Sequence, residues 1–144
     1  MFHVTIVSAD KELEDAFLVR RKVFVDEQRV PLSLEIDEFD ETASHFVIYK
    51  KDVPIGAGRI RETITGVGKV ERVCILPSYR GLHLGKLIMQ ALEDHGSEQG
   101  FEKIVLNAQS HAIPFYESIG YTITSPEFMD ADIPHRAMEK KLIK

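Results

Sequence analysis

The hydrophobic pattern between residues 69 and 108 changes its period twice, and this feature constrains the fold more than any other. The segment KVERVCIL, residues 69–76, is rich in β-branched side chains and predicts a strand. From Leu84 to about Gly96, apolar residues recur every three or four positions, which predicts a helix. KIVLNA, residues 103–108, predicts a second strand. We expect the two strands to pair in parallel through a right-handed crossover, because the helix carries the chain back across the sheet.

The segments before this unit predict a strand, a helix and a pair of strands. HVTIV, near the N-terminus, predicts the first strand, and the helix that follows it should end at about Pro31. HFVIYK and the segment that begins at Pro54 predict two strands joined by a short turn, and a second turn leads to KVERVCIL. Three strands that follow one another through short turns are most simply paired antiparallel.

The segments after KIVLNA predict a short helix that ends at Gly120 and two strands, near YTIT and HRAMEKKL. The complete pattern predicts an α/β (α+β) fold with a mixed, mostly antiparallel central sheet of about six to seven strands and helices on both faces. We expect one domain over residues 1–144, because a chain of this length with 44% hydrophobic residues can bury a single core.

Charge and cysteine content exclude several classes of protein. The formal net charge of −5 disfavours a general nucleic-acid binder, because such proteins neutralise many phosphates with basic faces. The single cysteine, Cys74, cannot form an internal disulfide, and the first residues lack the pattern of a secretory signal. No window reaches the ~18 apolar residues of a membrane span. We therefore expect a cytoplasmic protein that binds neither nucleic acid nor membranes.

The segment RGLHLGK, residues 80–86, places two glycines and two cationic side chains at the start of the predicted helix. The first turn of a helix has unpaired N–H groups and the positive end of the macrodipole, so an anion is a natural ligand. A nucleotide P-loop is excluded, because Gly81 and Gly85 enclose three residues instead of four and Leu87 replaces the magnesium-binding hydroxyl. Two interpretations remain: a diphosphate site without a metal, and an ordinary turn in which Gly81 relieves strain.

Longer stretches of the sequence resemble a known family. RVCILPSYRGLHLGKLIMQALE is similar to the acetyl-CoA signature of the GNAT superfamily of N-acetyltransferases, in which a strand and a proline-containing turn lead into Arg/Gln-x-x-Gly-x-Gly/Ala and a helix. NAQSHAIPFYESIGYTI resembles the downstream strand and helix of that family. VRRKVFVDEQRVP with EIDEFD, and FMDADIPHRAMEKK, resemble a subgroup of small bacterial GNAT proteins. The resemblance covers nearly the whole chain and implies the GNAT-like acyl-CoA N-acyltransferase fold, with KVERVCIL and KIVLNA splayed around a cofactor cleft.

The resemblance also implies a coenzyme A diphosphate site, formed mostly by backbone N–H groups. The residues concerned are Arg80, Gly81, Leu82, His83, Leu84, Gly85 and Lys86. His83 departs from the family pattern, since relatives usually carry a glycine at this position. Its side chain should either point away from the phosphates or, when protonated, help to hold them.

Two strands are implied to bind the rest of the coenzyme. In the family, the main chain at Val73, Cys74 and Ile75 binds the pantetheine arm and offers an N–H to the thioester oxygen. Removing one such donor can cost ~3 kcal/mol in acyl-transfer enzymes. Cys74 as a covalent nucleophile is an alternative, although the family transfers the acyl group directly and a cysteine in an apolar strand is usually structural. On the other strand Asn107 and Gln109 share one face, and either could contact the coenzyme.

Tyr116 and Glu71 are the predicted catalytic residues. Tyr116 matches the tyrosine that the family places beside the coenzyme sulfur. Because a tyrosine has a pKa of ~10 and a thiol one of ~8.5, proton transfer to the thiolate is uphill by about 2 kcal/mol, so we expect a hydrogen bond instead. Glu71 lies in the strand with the oxyanion donor and is the predicted general base, acting through water. The alternatives are a core aromatic at Tyr116 and an exposed sheet-face glutamate at Glu71.

The acceptor must be a neutral amine when it attacks. A lysine-like amine, with a pKa of ~10.4, requires about 4.6 kcal/mol to lose its proton at pH 7, whereas an α-amine near ~7.8 requires ~1 kcal/mol. Glu27 and Gln28, at the end of the first helix, are predicted to bind the substrate. The acidic run from Glu35 to Glu41 could line the acceptor mouth, although such runs are more typical of a solvated surface.

The sequence therefore predicts an N-acetyltransferase that moves an acetyl group from acetyl-CoA directly to a primary amine of a small molecule or peptide. No metal is expected, since the six histidines show no HExxH or comparable ligand spacing. One alternative is a catalytically weak acyl-CoA-binding or sensing module, which the replacement at His83 keeps open. Another is a structural or partner-binding domain. Homodimers are common among such relatives, although no residue of this sequence indicates an interface.

Overall fold

Eight β-strands lie at the centre of the computed structural model, which describes residues 1–142. In chain order they are β1 Phe2–Ile6, β2 Ser44–Lys50, β3 Val53–Ile64, β4 Val67–Ile75, β5 Lys103–Gln109, β6 Thr122–Ile123, β7 Phe128–Asp130 and β8 Ile133–Lys141. These strands form one sheet in the order β1-β2-β3-β4-β5-β8-β6, and β7 pairs with β8.

Helices flank this sheet. Those described over residues 1–142 are α1 Asp10–Arg20, α2 Leu32–Glu35, α3 Leu84–Glu98 and α4 Ile113–Ser118. The first of them continues into a π-helical segment, Arg21–Glu27, which brings the helical region close to its predicted end at Pro31. Short 3-10 turns also occur, at Glu38–Glu41, Pro77–Tyr79 and Ser110–Ala112.

The predicted mixed sheet is confirmed. β4 and β5, which α3 connects, pair in parallel, while β2, β3 and β4 form the predicted antiparallel meander. The described strands number eight, more than the six to seven predicted, because β7 was not recognised. This strand has only three residues and pairs with β8 in a hairpin, so it is too short to show an alternating pattern.

Both faces of the sheet are covered, and β2 shows how its sequence achieves this. Phe46 and Ile48 point into the core that α3 closes, whereas Val47 and Tyr49 point into the core that α1 closes. All four side chains are buried, because successive residues of a strand face opposite sides. The prediction of helices on both faces is therefore confirmed.

The sequence predicts that the acidic segment between the first helix and β2 lies at the surface, and this is only partly correct. Glu38 and Glu41 are exposed, but Glu35 and Asp40 are buried. Glu35 and Asp40 are buried against Arg20, whose guanidinium donates to Glu35 Oε2 at 2.8 Å and to Asp40 Oδ1 at 2.6 Å. Arg59, fully buried in β3, also donates to Asp40 Oδ1 at 2.6 Å. A buried charge is tolerated only with such partners. The segment is therefore folded onto the sheet by two arginines from other elements.

Asp40 should make the stability of the fold sensitive to acid. Burial alone would raise the pKa of Asp40, but the hydrogen bonds and charge of Arg20 outweigh this effect and lower the pKa from 3.8 to about 2. Because the folded-state pKa lies below the unfolded one, the stabilisation is nearly complete above about pH 5 and is lost as the pH falls through 2. Such a shift corresponds to about 2 kcal/mol.

We expect the free energy of unfolding of the wild type to fall by about 2 kcal/mol more than that of Asp40→Asn between pH 5 and pH 2. Urea denaturation followed by circular dichroism at several pH values measures this difference. Equal pH dependence of the two proteins would contradict the assignment.

Candidate active site

A cleft opens where β4 and β5 separate. Their parallel pairing ends at Val70 and Leu106, whereas β4 continues to Ile75 and β5 continues to Gln109. The cleft has a volume of about 1460 Å³, which exceeds the ~300–1,000 Å³ of an ordinary small-ligand pocket. The predicted splay of the two strands is confirmed. The space is sufficient for a large ligand with a second molecule beside it.

A β-bulge in β4 shapes one wall of the cleft. Arg72 has a φ of 60°, and β4 contains one residue more than β3 at this point of the pairing. Bulges bend a strand and change the direction of the residues that follow. The Arg72 guanidinium donates to the Leu34 carbonyl at 3.1 Å and to Asp37 Oδ2 at 3.2 Å. The bulge is therefore held in place by the segment around α2.

The turn between β4 and α3 presents six consecutive unpaired backbone N–H groups. Within residues 1–142, no amide from Gly81 to Lys86 donates a hydrogen bond, and the helical pattern starts with Leu87 N–H donating to the His83 carbonyl at 3.2 Å. The positive end of the α3 macrodipole lies at the same place. This combination suits a bound anion.

Gly81 and His83 give the turn its shape. Both have a positive φ, 83° at Gly81 and 61° at His83. Glycine adopts such a conformation without steric cost, whereas histidine does so at a cost, which explains why glycine suits this position in the family. The His83 side chain is exposed, borders the cleft and forms no hydrogen bond within the described residues. Both roles predicted for His83 are compatible with this position.

Arg80, the first residue of the predicted diphosphate site, already has hydrogen-bond partners in the structure. Its N–H donates to the Pro77 carbonyl at 3.3 Å, and its guanidinium donates to the Ile75 carbonyl at 2.9 Å. The guanidinium also donates to both carboxylate oxygens of Glu27, at 2.8 and 2.7 Å. This geometry directs the Arg80 guanidinium to Glu27, and the contact of Arg80 with a diphosphate stays a prediction. It also means that Glu27, a predicted substrate ligand, is already paired at the edge of the cleft.

The amides of Gln28 and Gln109 bind each other across the cleft. Gln109 Nε2 donates to Gln28 Oε1 at 2.8 Å, and Gln28 Nε2 donates to Gln109 Oε1 at 3.4 Å. The same Gln109 oxygen lies 2.7 Å from His111 Nε2. Asn107, which precedes Gln109 on the same face of β5, forms no side-chain hydrogen bond within residues 1–142 and lines the cleft. Asn107 is therefore the better placed of the two predicted coenzyme ligands.

Cys74 lies in the cleft wall between Val73 and Ile75, and its side chain is buried. Burial raises the pKa of the Cys74 thiol to about 12. Only the thiolate is a strong nucleophile, so this thiol is unreactive at neutral pH. The geometry thus favours the main-chain role of these three residues over the covalent alternative.

Tyr116 combines a packed ring with a free hydroxyl. Its ring contacts Phe115 and Tyr121 edge to face, with centroids 5.0 and 5.8 Å apart. Burial raises the pKa of Tyr116 to about 12. Its hydroxyl forms no hydrogen bond within the described residues, and the residue lines the cleft. The ring therefore serves the core while the hydroxyl can serve a ligand.

Glu71 lines the cleft but is held by three cations. Its Oε1 accepts hydrogen bonds from Arg61 Nε at 2.7 Å and Arg59 Nη2 at 3.0 Å, and Lys69 Nζ lies 3.5 Å from Oε2. Burial alone would raise the pKa of Glu71, but these cations lower it. A carboxylate with a lowered pKa accepts a proton less readily. The geometry therefore does not favour Glu71 as the general base.

Comparison with known protein families identifies the chain. The model of the Acetyltransferase (GNAT) domain matches residues 7–142. The chain belongs to the GNAT acetyltransferase family. The resemblance seen in the sequence is thereby confirmed, and the protein is an acyltransferase of a family that uses acyl-CoA.

Individual relatives agree with this assignment. The uncharacterised N-acetyltransferase YjcF of Bacillus subtilis (strain 168) is 46% identical over 136 residues, which cover 94% of this chain and 96% of YjcF. The crystal structure of a candidate N-acetyltransferase from Lactobacillus plantarum has a TM-score of 0.92 and 26% identity, with 99% of both chains covered. An acyl-CoA N-acyltransferase from Pseudomonas aeruginosa shares the fold, with a TM-score of 0.88, 23% identity, and coverage of 97% of this chain and 99% of its own.

Three further residues of the GNAT cleft were not assigned individually from the sequence. Arg72 and Glu35 line it because of a backbone bulge and a buried ion pair, and neither feature leaves a local sequence pattern. Phe115 packs against the start of α3, where a Cβ on Gly85 would lie 3.1 Å from its Cζ. The spacing of apolar residues in the last helix could have indicated Phe115. Conversely, the Leu82 side chain is exposed and does not line the cleft, although its amide belongs to the unpaired group.

None of the helices within residues 1–142 has the length and apolar character needed to cross a membrane. The same residues contain no group of three or more His, Cys, Asp or Glu side chains arranged to hold a metal ion.

The buried thiol of this GNAT enzyme should not react with alkylating reagents while the protein is folded. We expect Cys74 in the native protein to resist alkylation by iodoacetamide at pH 8 and to react fully in urea, because its pKa is raised to about 12. Cys74→Ala should retain acyl transfer and lose about 1 kcal/mol of stability. Mass spectrometry and a steady-state assay measure the two effects. Rapid labelling of native protein together with an inactive Cys74→Ala would restore the covalent alternative.

Proposed function

We propose that this GNAT protein is an N-acetyltransferase that moves an acetyl group from acetyl-CoA directly to a primary amine. The observation that carries the proposal is the row of six unpaired amides from Gly81 to Lys86 at the edge of the cleft between β4 and β5. Such a row at a helix N-terminus fits a diphosphate, and coenzyme A carries one. The coenzyme would also supply the thioester whose acyl group is transferred.

Side chains near these amides support the same ligand. Lys86, in the first turn of α3, lines the cleft and forms no ion pair within residues 1–142, so its charge can add to that of the macrodipole. His83 is exposed beside it, and an imidazole N–H there can donate to an anion. We propose that Asn107 contacts the coenzyme from β5, since its amide has no partner among the described residues.

The open edge of β4 supports binding of the pantetheine arm and the thioester. Beyond Val70 this edge has no strand partner, so main-chain groups between Val73 and Ile75 can bind a ligand instead. An N–H directed at the thioester oxygen would stabilise the negative charge that develops there, by about 3 kcal/mol. The bulge at Arg72 fits this role, because it changes the direction of the strand just before these residues.

We propose that Tyr116 donates a hydrogen bond to the departing coenzyme sulfur. With a pKa of about 12, Tyr116 lies several units above a thiol at ~8.5, so complete transfer of its proton to a thiolate is unfavourable by roughly 5 kcal/mol. A hydrogen bond requires no such transfer and still stabilises the charge. The raised pKa therefore supports a hydrogen-bonding role more than an acid role.

The amine must lose its proton to another group or to water. Glu71 is a weak candidate because Arg59, Arg61 and Lys69 lower its pKa. We propose that Glu71 instead holds these cations, which fixes β3 and β4 below the cleft. Without a strong base, acceptors whose amines are partly neutral at pH 7 are favoured over lysine-like amines.

The remaining expectations extend this proposal. We propose that residues 1–144 work as one domain, on small-molecule or peptide amines, without a metal and in the cytoplasm. The single sheet shared by all described strands supports one domain, and the lone buried thiol of Cys74 suits a reducing compartment.

Steady-state assays with a matched pair of glycine variants test the function. Gly81 and Gly100 both have a φ of 83° and open space where a Cβ would lie, but only Gly81 belongs to the proposed diphosphate site. We expect Gly81→Ala and Gly100→Ala to lose similar stability, about 1 kcal/mol. Only Gly81→Ala should raise the KM for acetyl-CoA, by about ten-fold, because it changes the direction of the unpaired amides.

The assay follows release of free coenzyme A thiol with a panel of primary amines. Acetyl-CoA that binds without thiol release for any amine would favour the sensing module. Saturating coenzyme A, at ~100 times its dissociation constant, should stabilise the fold by ~2.7 kcal/mol. No thermal shift with millimolar coenzyme A would contradict both the enzyme and the sensor.

The role of Tyr116 is tested against its neighbour Tyr121, whose hydroxyl donates to Glu93 Oε2 at 2.9 Å inside the core. We expect Tyr116→Phe to lower kcat by roughly ten- to a hundred-fold with little change in stability, because its hydroxyl has no partner in the fold. Tyr121→Phe should cost about 1 kcal/mol of stability and leave kcat nearly unchanged. A normal kcat for Tyr116→Phe would remove this residue from the mechanism.

A further inference from the structure

One buried carboxylate oxygen in the cleft wall has no partner. The Glu35 side chain is only 1% exposed, and its Oε2 accepts from Arg20 Nε at 2.8 Å and lies 3.2 Å from Arg72 Nε. Its Oε1 has no hydrogen-bond partner within the described residues. Buried acceptors are nearly always satisfied, so an exception in a cleft wall indicates a ligand that donates.

This oxygen belongs to the part of the cleft where the reaction is proposed. Glu35 lines the cleft, and Arg72 connects it to the bulge of β4, immediately before Val73 and Cys74. The proposed diphosphate site lies beyond Ile75, so Val73 and Cys74 separate it along the chain from the bulge at Arg72. A group bound to Glu35 therefore lies on the acceptor side of the thioester.

The charges around the cleft select the kind of acceptor. The two arginines that line it are both paired: Arg72 with Glu35 and Asp37, and Arg80 with Glu27. Lys69 faces Glu71, and Lys86 belongs to the proposed diphosphate site. On the acceptor side, no unpaired Lys or Arg among the described cleft residues remains for a carboxylate, whereas Glu35 Oε1 remains for an N–H donor. These charges suit an amine and disfavour a free amino acid.

The stretch of chain before Glu35 contributes apolar residues to the cleft, in addition to Glu27 and Gln28. These apolar residues are Val23, Phe24, Val30 and Leu34. Leu34 is 55% exposed next to the carboxylate, so an apolar ligand group placed there would remove it from water. The acceptor that fits carries an apolar chain together with its amine.

We propose that Glu35 Oε1 binds the amine of the acceptor, and that the acceptor is an alkyl or arylalkyl primary amine without a carboxylate. This inference rests on the proposed N-acetyltransferase function and names its substrate class. Glu35 acts here as a binding residue, because its unpaired oxygen can accept an N–H from the charged or the neutral amine. The guanidiniums of Arg20 and Arg72 hold its other oxygen and so fix the direction of the free one.

Three probes of equal chain length test the ligand class: hexylamine, 1-hexanol and 6-aminohexanoate. Their binding to the protein saturated with coenzyme A is measured by titration calorimetry, and their turnover with acetyl-CoA by thiol release. We expect hexylamine to bind and react, and the other two to bind at least ten-fold more weakly. Absence of hexylamine binding to the wild type, or equal binding of 6-aminohexanoate, would overturn the assignment.

Two variants separate ligand binding from a structural role of the ion pairs. Asp40→Asn removes a partner of Arg20 in the same network but does not line the cleft. We expect Glu35→Gln to weaken hexylamine binding and raise its KM at least ten-fold, while the KM for acetyl-CoA changes less than two-fold. Asp40→Asn should lose stability and keep its affinity for hexylamine within about two-fold.

Equal losses of hexylamine affinity in both variants, or none in Glu35→Gln, would show that Glu35 serves the fold alone. Failure of the proposed function looks different. In that case acetyl-CoA would not bind, or the wild type would release no thiol with any amine, whatever the binding of hexylamine.

Discussion

Two guanidinium groups buried beside the sheet determine where the segments around the cleft can lie. Arg20 is 1% exposed and Arg59 is 0% exposed, and neither can lose its proton. Each therefore needs carboxylates at close range, and the acidic segment supplies Glu35, Asp37 and Asp40. Removing one partner of such a pair typically costs 3–5 kcal/mol, since it leaves a buried charge uncompensated. The network thus fixes α2 over the sheet more firmly than its four residues could do by themselves.

The cleft has two chemically different ends, and this network holds one of them. At the α3 end the chain offers neutral N–H donors, from Gly81 to Lys86, which suit an anion. At the α2 end it offers a carboxylate oxygen on Glu35 and apolar side chains, which suit an amine. The open edge of β4 runs between the two ends. The proposed function needs this separation, because an amine placed beside the phosphates would bind them instead.

The fold could be predicted from the sequence where local pattern decides it. The change of hydrophobic period between residues 69 and 108 predicts a parallel crossover from β4 to β5. The short turns before it predict the antiparallel meander of β2, β3 and β4. The turn at residues 80–86 could be proposed as an anion site from the sequence, because its glycines and its position at a helix start are local features. The sequence could not indicate which of Asn107 and Gln109 is free to bind a ligand. Gln109 is hydrogen-bonded to Gln28, a residue 81 positions away in the chain, and Asn107 has no such partner among the described residues.

What could not be predicted depends on contacts between distant parts of the chain. Charge patterns predict that an acidic run is solvated, and only the burial of Arg20 and Arg59 reverses that expectation here. The bulge at Arg72 requires a φ of 60°, which arginine seldom adopts and which no neighbouring residue indicates. The position of Glu71 on β4 predicts a general base. Its ability to accept a proton, however, depends on Arg59, Arg61 and Lys69, and the two arginines lie on another strand.

Two sets of contacts hold the walls of the cleft: exposed contacts of Glu27 and Gln28, which are weak, and buried contacts of Arg20 and Arg59, which are strong. The consecutive residues Glu27 and Gln28 reach opposite walls, where they contact Arg80 after β4 and Gln109 at the end of β5. The Glu27 and Arg80 side chains are partly exposed, and pairs of this kind contribute only about 0–1 kcal/mol. A ligand that offers comparable hydrogen bonds can therefore replace these contacts at little cost. The buried Arg20 and Arg59, by contrast, keep β3, β4 and α2 in place when such a ligand binds.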